Sequence, residues 1–159
     1  MRKRQIVPTV RSVGPSSQAW LDLDRDVLVE VTSEEKTHPI ESALLQEENG
    51  NGGWRAADPG PQIVRLTFDE PQRLKRISLI FEDAENVRTQ EFVLRWSAGS
   101  GDSFREIIRQ QWNFSPPDSI REIEDYSVDL FEVAVLELII EPDKGNREAR
   151  ASLRKLRLA

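Results

Sequence analysis

Val64-Arg65-Leu66-Thr67-Phe68, then Asp69-Glu70-Pro71, then Ile77-Ser78-Leu79-Ile80-Phe81 is the stretch that decides the fold. On both sides of the Asp-Glu-Pro joint, apolar and polar residues alternate at a period of two, which puts every second side chain on one face of a strand. The same alternation recurs in Val27-Leu28-Val29-Glu30-Val31, Phe92-Val93-Leu94-Arg95-Trp96 and Leu136-Glu137-Leu138-Ile139-Ile140. The segments 48–53, 57–61, 98–102, 115–118 and 142–146 are rich in Gly, Pro, Asn and Asp and read as turns. Segments 104–114 and 120–130 mix Arg, Glu and Ile and fit a strand or a short helix equally, whereas 41–48 reads as a short helical turn. In 146–159, Ala149, Leu153 and Leu156 follow helical spacing while Leu156 and Leu158 alternate as on a strand. Many short strands without strand–helix alternation predict a two-sheet sandwich. Residues 1–18, with Pro8, Gly14, Pro15, Ser16 and Ser17, read as a flexible N-terminal arm, and 19–159 as a single domain.

Composition narrows the chemistry. The chain has 159 residues, 22 Lys+Arg against 28 Asp+Glu, a net charge of -6, one His and no Cys. A chain of this length hides roughly 70% of its unfolded surface and needs no disulfide or metal staple. Without cysteine, thiolate metal sites, disulfides and cysteine nucleophiles are excluded. Met1-Arg2-Lys3-Arg4 is followed only by Gln5-Ile6-Val7-Pro8, too short for the apolar part of an export signal, and 133–140, the longest apolar-rich stretch, contains Glu137. The expectation is a cytoplasmic protein with no membrane association. The acidic balance argues against unspecific phosphate-backbone binding.

No catalytic constellation emerges, and the chain is expected not to be an enzyme. His38 precedes Pro39 in a polar loop with no nucleophile motif around it and reads as a surface or capping residue. The loop of Glu47, Glu48, Asn49 and Asn51 lacks EF-hand spacing and reads as a solvated turn. Carboxylate clusters at Glu34/Glu35, Glu82/Asp83/Glu85 and Glu122/Glu124/Asp125 read as solvated faces. Of four tryptophans, Trp54 and Trp96 read as core, Trp112 lies nearest an exposed loop, and Trp20 fits either a plug or a solvent position. Arg147, Arg150, Arg154, Lys155 and Arg157 concentrate at the C-terminal end. Pairing with the acidic middle of the chain is expected of them, a basic edge for nucleic acid or an acidic partner being the alternative.

The run from Trp54 through Asp69-Glu70-Pro71 to Leu79, with Val31-Thr32-Ser33-Glu34 before it and 151–158 at the end, resembles the discoidin or coagulation-factor type C domain of the galactose-binding-like superfamily. The resemblance implies an all-β jelly roll of about eight antiparallel strands and turns the C-terminal segment toward strand. Trp54-Arg55-Ala56-Ala57 is also similar to the N-terminal domain of an X-ray cross-complementing DNA-repair scaffold. Where calcium-supporting members carry an Asp-Gly loop and a closing-strand glutamate, this chain has Glu48-Asn49-Gly50 and Lys155, so neither metal nor cofactor is implied. What the resemblance implies is a non-catalytic binding module for a carbohydrate or another small polar ligand, held on loops at one end of the sandwich. The alternative is an intracellular protein- or DNA-interaction domain. The loop position makes Asn86, Arg88, Trp112, Asn146 and Arg147 the candidate ligand-binding residues: an aromatic face to stack, with amide and guanidinium donors for hydroxyl or acidic groups.

Overall fold

The computed structural model describes residues 19–45, 52–99 and 103–159. Their elements are β1 (Val27–Val31), α1 (Glu41–Leu44), β2 (Trp54–Arg55), β3 (Gln62–Glu82), β4 (Arg88–Ser97), β5 (Arg105–Phe114), β6 (Arg121–Glu141), β7 (Ser152–Leu153) and β8 (Lys155–Leu158). All strand pairs are antiparallel, as expected for a jelly-roll sandwich. The N-terminal arm and the 46–51 loop lie outside the described residues.

Two long strands build both layers. β3 and β6 pair along their length, but the ladder shifts register between Thr67 and Arg76. On one side of that bend, strands run in the order β1-β3-β6-β4-β5; on the other, the first half of β6 and β8 flank the second half of β3. Asp69-Glu70-Pro71, read as a joint between two strands, is therefore a bend inside β3. Pro71 has no N–H to give a ladder, and it falls where the ladder is interrupted. Across the bend, Glu132 adopts φ 55, the left-handed geometry of an irregular strand. Segments 104–114 and 120–130, ambiguous in sequence, are strands in β5 and β6, and the C-terminal segment forms β7 and β8.

The alternating apolar faces meet between the layers. Leu66, Leu94 and Leu136 of the first layer and Leu79, Phe81 and Leu156 of the second are closed to solvent, with Phe81 and Phe92 touching across the gap at 5.1 Å. Burying one such side chain is worth about 1.5–3 kcal/mol. Trp54 is a core residue as expected, fully buried, with Nε1 donating to Ser33 O at 3.0 Å. Trp96 is half-buried and packs against the same cluster. No helix among the described residues is long and apolar enough to cross a membrane.

Candidate functional site

At one end of the sandwich, the loop joining β3 to β4 faces the segment that joins β6 to β7. Residues 35–38 and β2 complete a cleft of about 510 Å³. Backbone stitching holds these sequence-distant pieces together. Glu35 N donates to Arg55 O at 2.9 Å, Arg55 N to His38 O at 3.1 Å, and Ala56 N to Ala151 O at 2.9 Å. Gly53, at φ +87, lets β2 lie against β7: a Cβ there would stand 2.3 Å from Leu153 O. Lys144 N donates to Thr89 O at 2.9 Å, and Asp143 Oδ1 accepts from Thr89 N and Gly145 N, tying the second wall to the start of β4.

Arg88 organises the first wall. It is 5% exposed; Nε donates to Asp83 at 2.6 Å, Nη1 to Pro142 O at 2.8 Å and to Gln90 at 3.2 Å, and the guanidinium stacks over Phe114. Burial pushes the Asp83 carboxyl up, but the Arg88 hydrogen bond and the backbone N–H groups of Glu85 and Asn86 outweigh it and hold the group below its ordinary value. Asp83 thus stays an anion, and both walls are anchored to one buried cation.

Of the five candidate residues, Asn86, Arg88 and Asn146 line this cleft. Asn146 Oδ1 accepts from Glu148 N at 3.0 Å, leaving its amide Nδ2 without a partner among the described residues. Arg147 is exposed but not among the lining residues. Trp112 lies elsewhere. Expected near a loop, it sits within β5 opposite Gln90, half-buried against the core, its Nε1 enclosed without an acceptor among the described residues.

Residues discounted or passed over in sequence form the rest of the cleft. His38 is half-buried in its wall, with Nδ1 3.0 Å from Thr37 Oγ1 and 3.3 Å from Glu35 Oε1. Arg150 pairs with the same Glu35 at 3.4 Å. The lining holds six carboxylates, of Glu35, Glu82, Asp83, Glu85, Asp143 and Glu148, against three guanidinium groups, of Arg55, Arg88 and Arg150. Its tryptophan, Trp54, shows no face to solvent. Such a surface can accept and donate hydrogen bonds densely but shows no indole or phenyl face to stack. Among the described residues, no group of three His, Asp or Glu side chains is placed to hold a metal ion.

No family model matches the chain, and no curated protein sequence does. Solved structures do. The family 32 carbohydrate-binding module of C. perfringens NanJ in complex with galactose superposes at TM-score 0.58, with 13% identity, covering 87% of this chain and 96% of that one. CBM32-3 from a family 31 glycoside hydrolase of Clostridium perfringens gives 0.61 at 16% identity, covering 92% and 98%. Reduced XRCC1 bound to the catalytic domain of DNA polymerase beta gives 0.57 at 15% identity, covering 85% and 95%. The fold is the galactose-binding-like sandwich.

Proposed function

We propose that the chain is a non-catalytic binding module that holds a carbohydrate or another small polar ligand in the cleft between residues 82–88 and 143–150. The supporting observation is the cleft itself, where polar groups from four sequence-distant segments are held rigidly at one end of a sandwich whose structural relatives include sugar-binding modules. Asn146 offers its side-chain amide, Asn86, whose Nδ2 is turned to Asp83, offers its Oδ1, the His38 ring and the carboxylates meet hydroxyl groups, and Arg88 sets the loop without meeting the ligand. With an acidic balance and no open indole or phenyl ring, the chemistry suits a neutral polyhydroxyl ligand held by hydrogen bonds.

An NMR titration of labelled protein with galactose, N-acetylgalactosamine, fucose and galacturonate tests the reading. The expected result is saturable shifts at Asn86, Asn146 and Arg150 with one neutral sugar, weakened about tenfold in Asn146→Ala at unchanged melting temperature. If no sugar of the panel moves these resonances, or if Asn146→Ala binds as well as the parent, the cleft is not the site.

A further inference from the structure

Hydrogen bonding leaves one side chain of the cleft unused. Among the described residues, Val87 is the most exposed large apolar side chain, at 76%, and it lines the cleft. A single valine on an open surface needs no explanation, but this one is fixed at the edge of a binding cavity. Asp83 Oδ1 accepts from Glu85 N at 2.9 Å and from Asn86 N at 3.0 Å, while Asp83 Oδ2 takes Arg88 Nε at 2.6 Å. Asp83 N in turn donates to Ile120 O at 2.8 Å. The loop is thus wrapped round one carboxylate on both sides of residue 87, and the valine is held outward between a pinned backbone at Asn86 and a buried side chain at Arg88.

The other open aliphatic groups of the lining are smaller still. Ala84 is exposed beside Val87, and Ala149 is half-buried on the opposite wall, where Gly60 N donates to its carbonyl at 3.0 Å. Trp54 is closed to solvent. None of these gives the flat C–H face of a pyranose ring a plane to lie on, whereas a single methyl group matches the γ-methyl pair of a valine in size. Valine is also β-branched and stiff at χ1, so it has little rotamer freedom left to lose on contact.

Resting on the reading of this cleft as a carbohydrate site, we propose that Val87 is its specificity-determining residue. The ligand is a sugar that carries a methyl group, on a 6-deoxy carbon or in an acetamido substituent, and it seats that methyl on Val87 while the polar walls hold its hydroxyls. Both substituents are neutral and end in the same apolar group, so they make this contact without adding charge to the lining. A hydroxymethyl group in the same place would instead give up hydration against the valine.

The test is an NMR titration of labelled protein with two matched series: galactose, 6-deoxygalactose and N-acetylgalactosamine, and glucose, 6-deoxyglucose and N-acetylglucosamine. In a series that saturates the Asn146 and Arg150 resonances, one methyl-bearing member is expected to bind about fourfold more tightly than its parent hexose, with nuclear Overhauser contacts from its methyl protons to those of Val87. Which member does so identifies the source of the methyl group. Val87→Ser is expected to bring the ratio below about twofold and Val87→Ile to keep it, both variants melting within a few degrees of the parent because the side chain is exposed. Equal affinities within a series that saturates the cleft, or a ratio unchanged in Val87→Ser, overturns the role of Val87 and leaves the carbohydrate site standing. Silence of Asn146 and Arg150 toward both series overturns the carbohydrate reading of the cleft, and the role of Val87 with it.

Discussion

Glu122 and Glu137 lie on the same strand, β6, and both are closed to solvent, yet their surroundings are opposite. Glu137 is on the outer face of the first layer, in a transverse row that reads Glu30, Arg65, Glu137, Arg95, Glu106 across five strands in register. It accepts from Arg65 Nε at 2.6 Å and from Arg95 Nε at 2.7 Å, and the bond to Glu137 holds the Arg65 guanidinium above its usual value. Glu122 faces the interior, where Gln90 Nε2 reaches Oε1 at 3.2 Å and the nearest charge is that of Glu124. Burial first, then the Glu124 carboxylate, pushes the Glu122 carboxyl up to about 9. Its Oε2, which has no donor among the described residues, becomes a donor once protonated, with Glu124 as acceptor. Burial alone therefore does not decide whether a glutamate is an anion or an acid. The register of the neighbouring strands does.

The interior network ends at the cleft, through Gln90 to Arg88 and Asp83, so its sharpest test is removal of Arg88, the cation nearest Glu122. Arg88→Met leaves Asp83 half-buried without its counter-ion and Pro142 O without a donor. The expected loss is about 3–5 kcal/mol of unfolding free energy by denaturant titration. A loss below about 1 kcal/mol would mean that water reaches Asp83 freely and that the network does not hold the cleft wall. Glu137→Gln comes next. Arg65 and Arg95 are more than a third exposed and regain water when the carboxylate goes, so the expected loss is smaller, about 2 kcal/mol. It should shrink further in high salt if the row is an electrostatic device.

The same contrast explains what was legible in the sequence. β1, residues 64–68 and 77–81 of β3, 92–96 of β4 and 136–140 of β6 show plain alternation because their inward positions are apolar, whereas Arg88 and Gln90 at the start of β4 are buried polar residues. The first half of β6 hides it, since Glu122, Glu124 and Tyr126 occupy inward positions and make 120–130 look like a solvated helix or strand. For that reason Glu122 and Glu124 were expected on a solvated face, whereas they face the interior and Glu122 is fully buried. β5 is an edge strand with Gln110 and Trp112 facing inward, so its pattern is diluted too. Of the cleft, the wall near Asn86 and Arg88 and the position of Asn146 were legible through the family resemblance. Glu35, His38, Arg55 and Arg150 were not, because only backbone pairing between loops far apart in sequence brings them together. Trp112 and Arg147 show the limit of reading neighbours in sequence as neighbours in space: Arg147 follows Asn146 and still falls outside the cleft lining.

At mildly acid pH the smallest expected effect is also the most discriminating, because it uses the substitution already applied to Glu137 and predicts the opposite sign. Glu122→Gln replaces a protonated acid with a neutral group of the same shape that can still accept from Gln90 and donate to Glu124. In the parent, the folded state keeps a proton that the unfolded chain releases above the ordinary value of 4.5, so this contribution to stability is complete below 4.5 and is lost as pH rises toward about 9. Gln has no proton to lose. The variant should match the parent near pH 4.5, exceed it by about 1 kcal/mol at pH 5.5 and by more as the pH rises toward 8, and show a flatter stability profile over that range. Denaturant midpoints measured at several pH values decide the matter. If Glu122→Gln is instead destabilised at pH 8 as Glu137→Gln is, the interior glutamate is an anion with a counter-charge, and the distinction drawn between the two faces of β6 is lost.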